Sequence, residues 1–282
     1  MGRPGSGRGG KALCRTLAGG SGLTAALSIA AVDPSAAAGL LLDVQVFASS
    51  GLHGQGVVTA LTAQAPGRAR CLAVTRPTDI VAQLEAALDT WAPSAAKTGL
   101  IISVEQAGAI TRVWQHANRP LVVDPVDVLS SGFDLATDPL PARVEALAPV
   151  MTLLTPNLDE AHRLLELEST AADRATREAL AWALAERYHC AILLKGGHVD
   201  GADVLVHGST LRWFEPASGP APFSLRGSGC RLSAAITAQL ARGADIQTAV
   251  MTARQLVAAA LDQAQQRGGQ WLAPGNLSPG DR

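Results

Sequence analysis

Gly227, Ser228, Gly229 and Cys230 stand directly before an apolar stretch with helical spacing. The first turn of a helix has free backbone N–H groups and a partial positive charge, and glycines let such a backbone close around an anion. We therefore predict a site the size of a phosphate or an oxyanion. The same field favours a thiolate at the cysteine, as nucleophile, base or pocket lining.

An ordinary glycine turn with a small buried cysteine explains the same residues equally well. No Lys-Ser or Lys-Thr pair follows the turn, so it is not a Walker motif.

Lys195 ends a predicted buried strand and is followed by Gly196 and Gly197. A lysine at this place can reach a triphosphate, while the glycines let a ligand approach the backbone. The alternative is a lysine that extends from a strand end into water. The ligand role is favoured because the chain has only three lysines, Lys11, Lys97 and Lys195.

Asn157 and Glu160 lie three residues apart at the start of a predicted helix, so both side chains can face one point. Oxygen ligands in this arrangement suit Mg²⁺, often through water. For this pair alone a helix cap is the simpler explanation, with Asn157 at the N-cap and Glu160 reaching back to it. Asp124, at another predicted strand end, is either a second carboxylate for magnesium or a turn aspartate.

Asp33, Asp43 and Gln64 are candidates for holding a small polar substrate. Asp33 follows the first predicted strand, and Asp43 comes ten residues later near a helix start. Carboxylates there suit a hydroxyl or an amino group, and the amide of Gln64 can both donate and accept. An Asp-Pro turn and a solvated helix position are the ordinary explanations of the two aspartates.

The candidates follow short apolar runs that alternate with helical patterns. Continuous apolar runs are typical of strands buried on both faces, and their alternation with helices favours a mostly parallel sheet covered on both sides. Ligands of such sheets bind beyond the carboxyl ends of the strands. A hairpin is predicted around Gly208 and Ser209, and Asp245 is predicted to cap the last helix. The predicted strand runs are 23–30, 57–62, 121–126, 151–155 and 191–195.

The chain has 282 residues, of which 48% are hydrophobic and 17% are charged, and its formal net charge is -1. These values favour one well-filled α/β domain and give no sign of binding to nucleic acid. No run approaches the ~20 apolar residues of a membrane helix. The four cysteines show no CxxC spacing, which disfavours a zinc site and favours reduced thiols in the cytoplasm.

Seven segments occur in an order that resembles the hydroxymethylpyrimidine/phosphomethylpyrimidine kinases of thiamine biosynthesis, within the ribokinase-like superfamily. The similarity covers roughly residues 23 to 265. It implies ATP- and Mg²⁺-dependent phosphorylation of a hydroxymethylpyrimidine and of its monophosphate, a small-molecule partner and, as in many relatives, a homodimer. The segments are VDPSAAAG, VVTALTAQ, AAKTGL, VVDPV, LLTPNLDEAHRLL, LLKGGH and RGSGCRLSAAI.

The resemblance also assigns roles to single residues. Cys230 matches the cysteine in the catalytic place, and residues 227–229 match the anion hole for the transferring phosphate. Asn157 and Glu160 match a magnesium motif, and Lys195 matches a lysine near the ATP phosphates. Asp43 and Gln64 match residues that hold the pyrimidine.

The segment boundaries follow from the same comparison. We expect a single ribokinase-like α/β domain over residues 23–267 and a loose C-terminal tail over 268–282. Residues 1–22 are basic and glycine-rich and imitate a signal peptide. A flexible leader is favoured, because the apolar run that follows belongs to the first strand.

Several residues depart from the family pattern near the predicted pocket. Alanines replace glycines after the first strand, although alanine adopts a positive φ at a cost. A glutamine replaces a usual lysine, an arginine stands on each side of the glycine turn, and an aspartate replaces an apolar residue. These positions are Ala31, Ala36, Ala37, Gln45, Asp127, Arg226 and Arg231.

Two other functions stay open. A pyridoxal-type kinase shares the fold and can use a reactive cysteine toward an aldehyde. A regulatory relative that binds the pyrimidine with little turnover would fit the three alanines. Comparing phosphorylation of the two substrates, and binding against ADP release, distinguishes these alternatives.

Overall fold

The computed structural model describes residues 23–65, 68–127, 135–168, 173–197, 199–216, 223–267 and 270–275. Its main sheet contains β1 (Ala25–Val32), β2 (His53–Ala65), β3 (Arg68–Val74), β4 (Ala95–Thr98), β5 (Leu121–Val123), β6 (Leu153–Leu154), β7 (Ala191–Leu194), β8 (Asp203–His207) and β9 (Thr210–Phe214). Within the described residues these nine strands have the order β3-β2-β1-β4-β5-β6-β7-β8-β9. The six from β2 to β7 in this order run parallel, and β3, β8 and β9 are antiparallel to their neighbours.

Helices cover both faces of this sheet. One face packs against α2 to α6, and the other packs against α1, α7 and α8. The helices are α1 (Gly39–Ser49), α2 (Pro77–Thr90), α3 (Val104–Trp114), α4 (Leu140–Leu147), α5 (Leu158–Leu164), α6 (Arg174–Tyr188), α7 (Ser228–Ala241) and α8 (Ile246–Asp262), with a 3-10 turn at Ala148–Val150.

The parallel strands are apolar at consecutive positions because both faces of the sheet are covered. Val122 of β5 packs with the layer of α1, α7 and α8, whereas the next residue, Val123, packs with the opposite layer. Leu153 and Leu154 of β6 divide in the same way. The prediction of a mostly parallel sheet with helices on both faces is confirmed.

Each of the five predicted strand runs overlaps one strand of the sheet. The predicted hairpin is β8–β9, in which His207 pairs with Thr210 across Gly208 and Ser209. Asp245 caps α8, since its carboxylate accepts a hydrogen bond of 2.9 Å from the backbone N–H of Thr248.

Two strands of the main sheet, β3 and β4, were not predicted. The edge strand β3 is largely exposed, and two arginines, Arg68 and Arg70, interrupt its apolar pattern. The short strand β4 is buried at every residue although it contains Lys97. A run of alanines with a lysine does not indicate a strand, because alanine has low strand propensity and lysine is almost never fully buried without a partner.

The prediction of a loose tail does not hold for residues 270–275. After α8, β10 (Gln265–Arg267) pairs antiparallel with β11 (Gln270–Leu272). Trp271 of β11 stacks on Phe223 with ring centroids 4.1 Å apart. Apolar side chains that follow the amphipathic helix therefore continue the fold. The predicted leader, residues 1–22, lies outside the described residues.

Over the described part of the chain, no helix has the length and apolar character needed to cross a bilayer.

Candidate active site

A cavity of about 930 Å³ opens at the carboxyl ends of the parallel strands. Its wall is formed by residues that follow β1, β5, β6 and β7, by the start of α7 and by one side of α8. This is the sheet edge at which parallel α/β folds bind ligands. The predicted site residues in this wall are Asp33, Gln64, Asp124, Asn157, Glu160, Lys195, Gly197, Gly227, Ser228, Gly229 and Cys230.

The glycine turn forms the N-terminus of α7. Gly227 is its N-cap residue and has a left-handed backbone with φ of 73°, and no side chain of the described residues caps this helix. A Cβ at Gly227 would lie 2.0 Å from the carbonyl oxygen of Ala37, so only glycine lets this turn lie against the loop after β1. The turn, residues 227–230, therefore presents an uncapped helix start to the cavity, as an anion site requires. We call it the transfer turn.

Lys195 lies directly beside the transfer turn. A Cβ at Gly229 would be 3.2 Å from its Nζ, which donates a hydrogen bond of 3.0 Å to Asp124 and lies 3.8 Å from Glu160. Burial acts to lower the pKa of Lys195, but the two carboxylates outweigh it and raise the pKa above its ordinary value. The lysine is thus a fixed cation at the helix start.

Asp124 joins this cation to α7. Its second oxygen accepts a hydrogen bond of 3.0 Å from Ser233 Oγ. Burial acts to raise the pKa of Asp124, but Lys195 and Lys97 outweigh it and hold the pKa below its usual value. The carboxylate is therefore ionised at neutral pH.

Asn157 and Glu160 form the helix cap that was the simpler of their two explanations. Asn157 Oδ1 accepts a bond of 2.8 Å from the N–H of Glu160, and Glu160 Oε2 accepts one of 2.7 Å from the N–H of Asn157. Burial raises the pKa of Glu160 to about 7, with Asp124 acting in the same direction and Lys195 in the opposite one. Both side chains also face the cavity.

Asp33 and Gln64 meet at the other end of the cavity through Arg226. One terminal nitrogen of this guanidinium donates hydrogen bonds of 2.7 Å to Asp33 Oδ2 and of 2.7 Å to Gln64 Oε1. Gln64 Nε2 donates to Thr62 Oγ1 at 2.9 Å. Both ends of the amide are thus held, and the orientation of Gln64 is fixed. We call this part of the cavity the acceptor end.

Comparison with known proteins decides the family. A family model described as phosphomethylpyrimidine kinase matches residues 33–275, which is most of the chain. The chain belongs to this kinase family. A hydroxymethylpyrimidine/phosphomethylpyrimidine kinase from Rhizobium meliloti is 35% identical over 243 residues, covering 85% of this chain and 91% of the relative.

Solved structures agree with this assignment. An ADP complex of Bacillus subtilis pyridoxal kinase is similar at a TM-score of 0.80 and 25% identity, covering 90% of this chain and 97% of that one. A phosphomethylpyrimidine kinase from Clostridium difficile is similar at a TM-score of 0.72 and 28% identity, covering 84% and 99%. The kinase therefore has the ribokinase-like fold that the sequence predicted.

In the kinase, Asp43 is not among the residues that line the cavity, so the direct contact with a substrate that was predicted for it is not supported. Its side chain is fully buried, and its Oδ2 accepts bonds of 2.8 Å from Lys97 Nζ and of 2.6 Å from Ser28 Oγ. The helix start that carries Asp43 faces the sheet because its neighbours Leu42 and Val46 are core residues.

Lys97 was missed as part of the site. Its side chain is fully buried between Asp43 and the region of Asp124 and Cys230. Burial acts to lower the pKa of Lys97, but the neighbouring acids outweigh it and raise the pKa above its ordinary value. The sequence did contain a signal for this role, because a lysine inside an otherwise apolar run is unusual in a chain with only three lysines.

Gly196 is the second predicted residue outside the cavity wall. A Cβ there would lie 2.0 Å from the carbonyl oxygen of Ala202 and 2.3 Å from a guanidinium nitrogen of Arg177. Its N–H donates to Asp203 at 2.9 Å. This glycine allows the loop after β7 to close, whereas Gly197 faces the cavity.

The loop after β1 shows the effect of one of the alanines that replace glycine. Ala36 has a left-handed backbone with φ of 54°. Alanine takes this conformation at a cost of roughly 1–2 kcal/mol. The loop keeps its shape, since Ser35 donates to Asp33 from both its N–H and its hydroxyl, at 3.0 and 2.8 Å.

Cys230 differs from the prediction of a favoured thiolate. Burial raises the pKa of its thiol to about 11, and Lys97 acts in the opposite direction without compensating. Asp124 and Asp43 also raise it. Burial together with these carboxylates thus outweighs Lys97, and the thiol is neutral at physiological pH.

We expect iodoacetamide to alkylate Cys230 slowly at neutral pH, at a rate that keeps rising through the alkaline range, because only the thiolate reacts. Mass spectrometry of the peptide that carries Cys230 measures this rate, and the Cys230→Ser variant identifies its signal. A fast reaction whose rate reaches a plateau near neutral pH would contradict this expectation, because it would show that Cys230 is a thiolate at neutral pH.

Proposed function

We propose that this kinase transfers the γ-phosphoryl group of ATP to the hydroxymethyl group of 4-amino-5-hydroxymethyl-2-methylpyrimidine in thiamine biosynthesis. A second ATP then phosphorylates the phosphate group of the monophosphate formed in the first step. The observation that carries this proposal is the position of Lys195 Nζ at an uncapped helix start, where a Cβ added at Gly229 would lie 3.2 Å from it. Phosphoryl transfer is catalysed mainly by positioning and by charge stabilisation, and a lysine beside free N–H groups supplies both.

The nucleotide is proposed to lie toward β9 and α8. Gly197 opens the loop after β7 toward the cavity, and Trp213, Met251 and Leu261 supply apolar wall at that side. A base can pack on these side chains while its phosphates extend to Lys195 and the transfer turn. A kinase of the same fold binds a nucleotide, since one similar structure is an ADP complex.

Mg²⁺ fits the carboxylate oxygens of Asp124 and Glu160, with Asn157 beside them. Among the described residues no group of three or more His, Cys, Asp or Glu could form a closed metal site. That agrees with magnesium, which takes one or two carboxylates together with phosphate oxygens and water. When bound, the ion would neutralise charge on the transferring phosphate.

The acceptor is proposed to lie between Gln64 and the transfer turn. Asp33 and the fixed amide of Gln64 present oxygen and nitrogen atoms to a polar ring, and Cys230 faces the reacting hydroxyl. Because the thiol keeps its proton at neutral pH, we assign it a role as a neutral neighbour of the hydroxyl. A loose transition state needs little proton removal before transfer.

The deciding experiment follows ADP and phosphorylated pyrimidine from the purified chain, with and without Mg²⁺. We expect metal-dependent product, and a Gln64→Leu variant with a raised KM for the pyrimidine and an unchanged KM for ATP. If calorimetry shows pyrimidine binding but no ADP is released, the protein binds the pyrimidine without phosphorylating it, and the proposed activity is wrong.

A pyridoxal-type kinase is the second candidate, because the Bacillus subtilis pyridoxal kinase is similar over nearly the whole fold. The ratio of kcat/KM for the pyrimidine and for pyridoxal decides between them. A cytoplasmic location, a homodimer and the start of the domain at residue 23 remain predictions.

A further inference from the structure

The segment of residues 270–275 packs against the residues that flank the transfer turn on both sides. Leu225 and Trp271 form a β-bridge, and the N–H of Arg226 donates to the carbonyl of Trp271 at 3.0 Å. Phe223 and Trp271 stack beside this bridge. The chain leading into the turn is thus hydrogen-bonded to residues some forty-five positions later. We call residues 270–275 the C-terminal strap.

Arg226 connects the strap to the acceptor end. One terminal nitrogen of its guanidinium donates to Gln270 at 3.2 Å, and the other donates to Asp33 and Gln64. The residue is only 6% exposed. A displacement of the strap would therefore act on the side chains proposed to hold the acceptor.

Arg231 binds the strap from the other side of the turn. It is 1% exposed, does not line the cavity, and donates to the carbonyl oxygens of Ala273 at 3.2 Å and Gly275 at 3.5 Å. Among the described residues no carboxylate forms an ion pair with it, and its Nε has no hydrogen-bond partner.

A buried guanidinium without a carboxylate is unfavourable for folding. Burial lowers the pKa of Arg231 to about 10, which shows the same penalty. A gain in stability therefore does not explain why an arginine stands at this position. Its contribution to the structure is its hydrogen bonds to the strap.

The strap also touches α1. A Cβ at Gly275 would lie 1.9 Å from Gln45 Oε1. Gln45, Arg226 and Arg231 thus all approach one segment, from α1 and from both sides of the transfer turn.

We propose that the C-terminal strap fixes the transfer turn for phosphoryl transfer, and that Arg226 and Arg231 are the positioning residues that hold it. The expected effect on kcat rests on the proposed function. A displacement of about 1 Å at reacting groups is enough to lower a rate about 100-fold. Loosening the strap should therefore reduce kcat while leaving the fold in place.

The test uses the full chain with Arg231→Met, which keeps the volume of the side chain and removes the charge. We expect faster hydrogen exchange of the backbone amides of both the strap and residues 226–231, measured by mass spectrometry. We also expect kcat to fall about 10- to 100-fold, an unchanged KM for ATP and no loss in Tm. Arg231→Lys, which can still donate to a carbonyl, should recover part of kcat.

The matched control is Arg267→Met on β10, where an exposed arginine donates to Gln265 at 2.7 Å. It should change neither exchange at residues 226–231 nor kcat. Gln270→Leu is a second variant that leaves both arginines in place, and it should speed exchange in the strap and raise the KM for the pyrimidine.

Unchanged exchange at residues 226–231 in Arg231→Met overturns the proposal, as does a fall in kcat that Arg267→Met reproduces. If the unmodified chain turns over no pyrimidine, the proposed function fails. The exchange measurement still decides whether the strap fixes the turn, because it needs no turnover.

Discussion

Replacing Lys97 with methionine is expected to lower the free energy of unfolding by about 3–5 kcal/mol. Lys97 Nζ and Asp43 Oδ2 lie 2.8 Å apart, and both side chains are fully buried. The substitution leaves Asp43 with Ser28 as its remaining hydrogen-bond donor among the described residues, and its Oδ1 has no partner at all. A carboxylate in that position can only ionise unpaired or take up a proton, and both reduce stability.

A double variant separates loss of the pair from loss of the charge. Lys97→Met combined with Asp43→Leu removes both ions, so most of the lost stability should return, as it does when buried ion pairs are replaced by apolar residues. Urea unfolding of the parent, both single variants and the double variant completes the cycle.

The exposed pair Arg76–Asp79 is the matched control, with side chains 77% and 46% exposed. Arg76→Met should change the free energy of unfolding by less than about 1 kcal/mol. If Lys97→Met had an effect as small as this, the buried pair would be without structural importance.

Lys97 also shows where sequence reasoning about this fold ends. The strands β1, β5, β6 and β7 are apolar in continuous runs, and that pattern alone predicts their place in a covered parallel sheet. In β4 the buried partner of the lysine is Asp43, 54 residues earlier. No local pattern shows that such a partner exists, so the strand and the pair were both missed.

The candidate site divides in a similar way. Glycines at a helix start and a lysine at a strand end predict an anion site, because both features are local. The pKa of Cys230 depends first on its burial and then on Lys97, Asp124 and Asp43, all of which the tertiary structure brings about. Helix position alone therefore gave the wrong sign for its pKa.

Arg226 and Arg231 illustrate a third limit. The sequence shows that arginines flank the transfer turn, but their partners lie in residues 270–275 and, for Arg226, also in Asp33, 193 residues away. Charge and spacing indicate that such residues are unusual. The hydrogen bonds that define the role of these arginines form only in the folded chain.

The second large effect is expected from Gly227→Ala, which should reduce kcat at least about 100-fold. The added Cβ would lie 2.0 Å from the carbonyl oxygen of Ala37 and 3.0 Å from a side-chain carbon of Leu42. The first of these contacts is between the added Cβ and a backbone oxygen, so no rotation of a side chain can relieve it. The transfer turn has to move by about 1 Å relative to the loop after β1, and the free N–H groups at the start of α7 move with it.

The left-handed backbone of Gly227 adds a second penalty, and a control at Gly208 separates the two. Gly208 has φ of 59°, and no heavy atom lies within 4 Å of a Cβ built there. Gly208→Ala should therefore cost only the roughly 1–2 kcal/mol of a left-handed alanine and leave kcat unchanged. Steady-state kinetics and urea unfolding of both variants measure the comparison. Equal kcat values in the two variants would mean that the close approach of Ala37 does not hold the transfer turn, and that the anion site tolerates a shift of its own backbone.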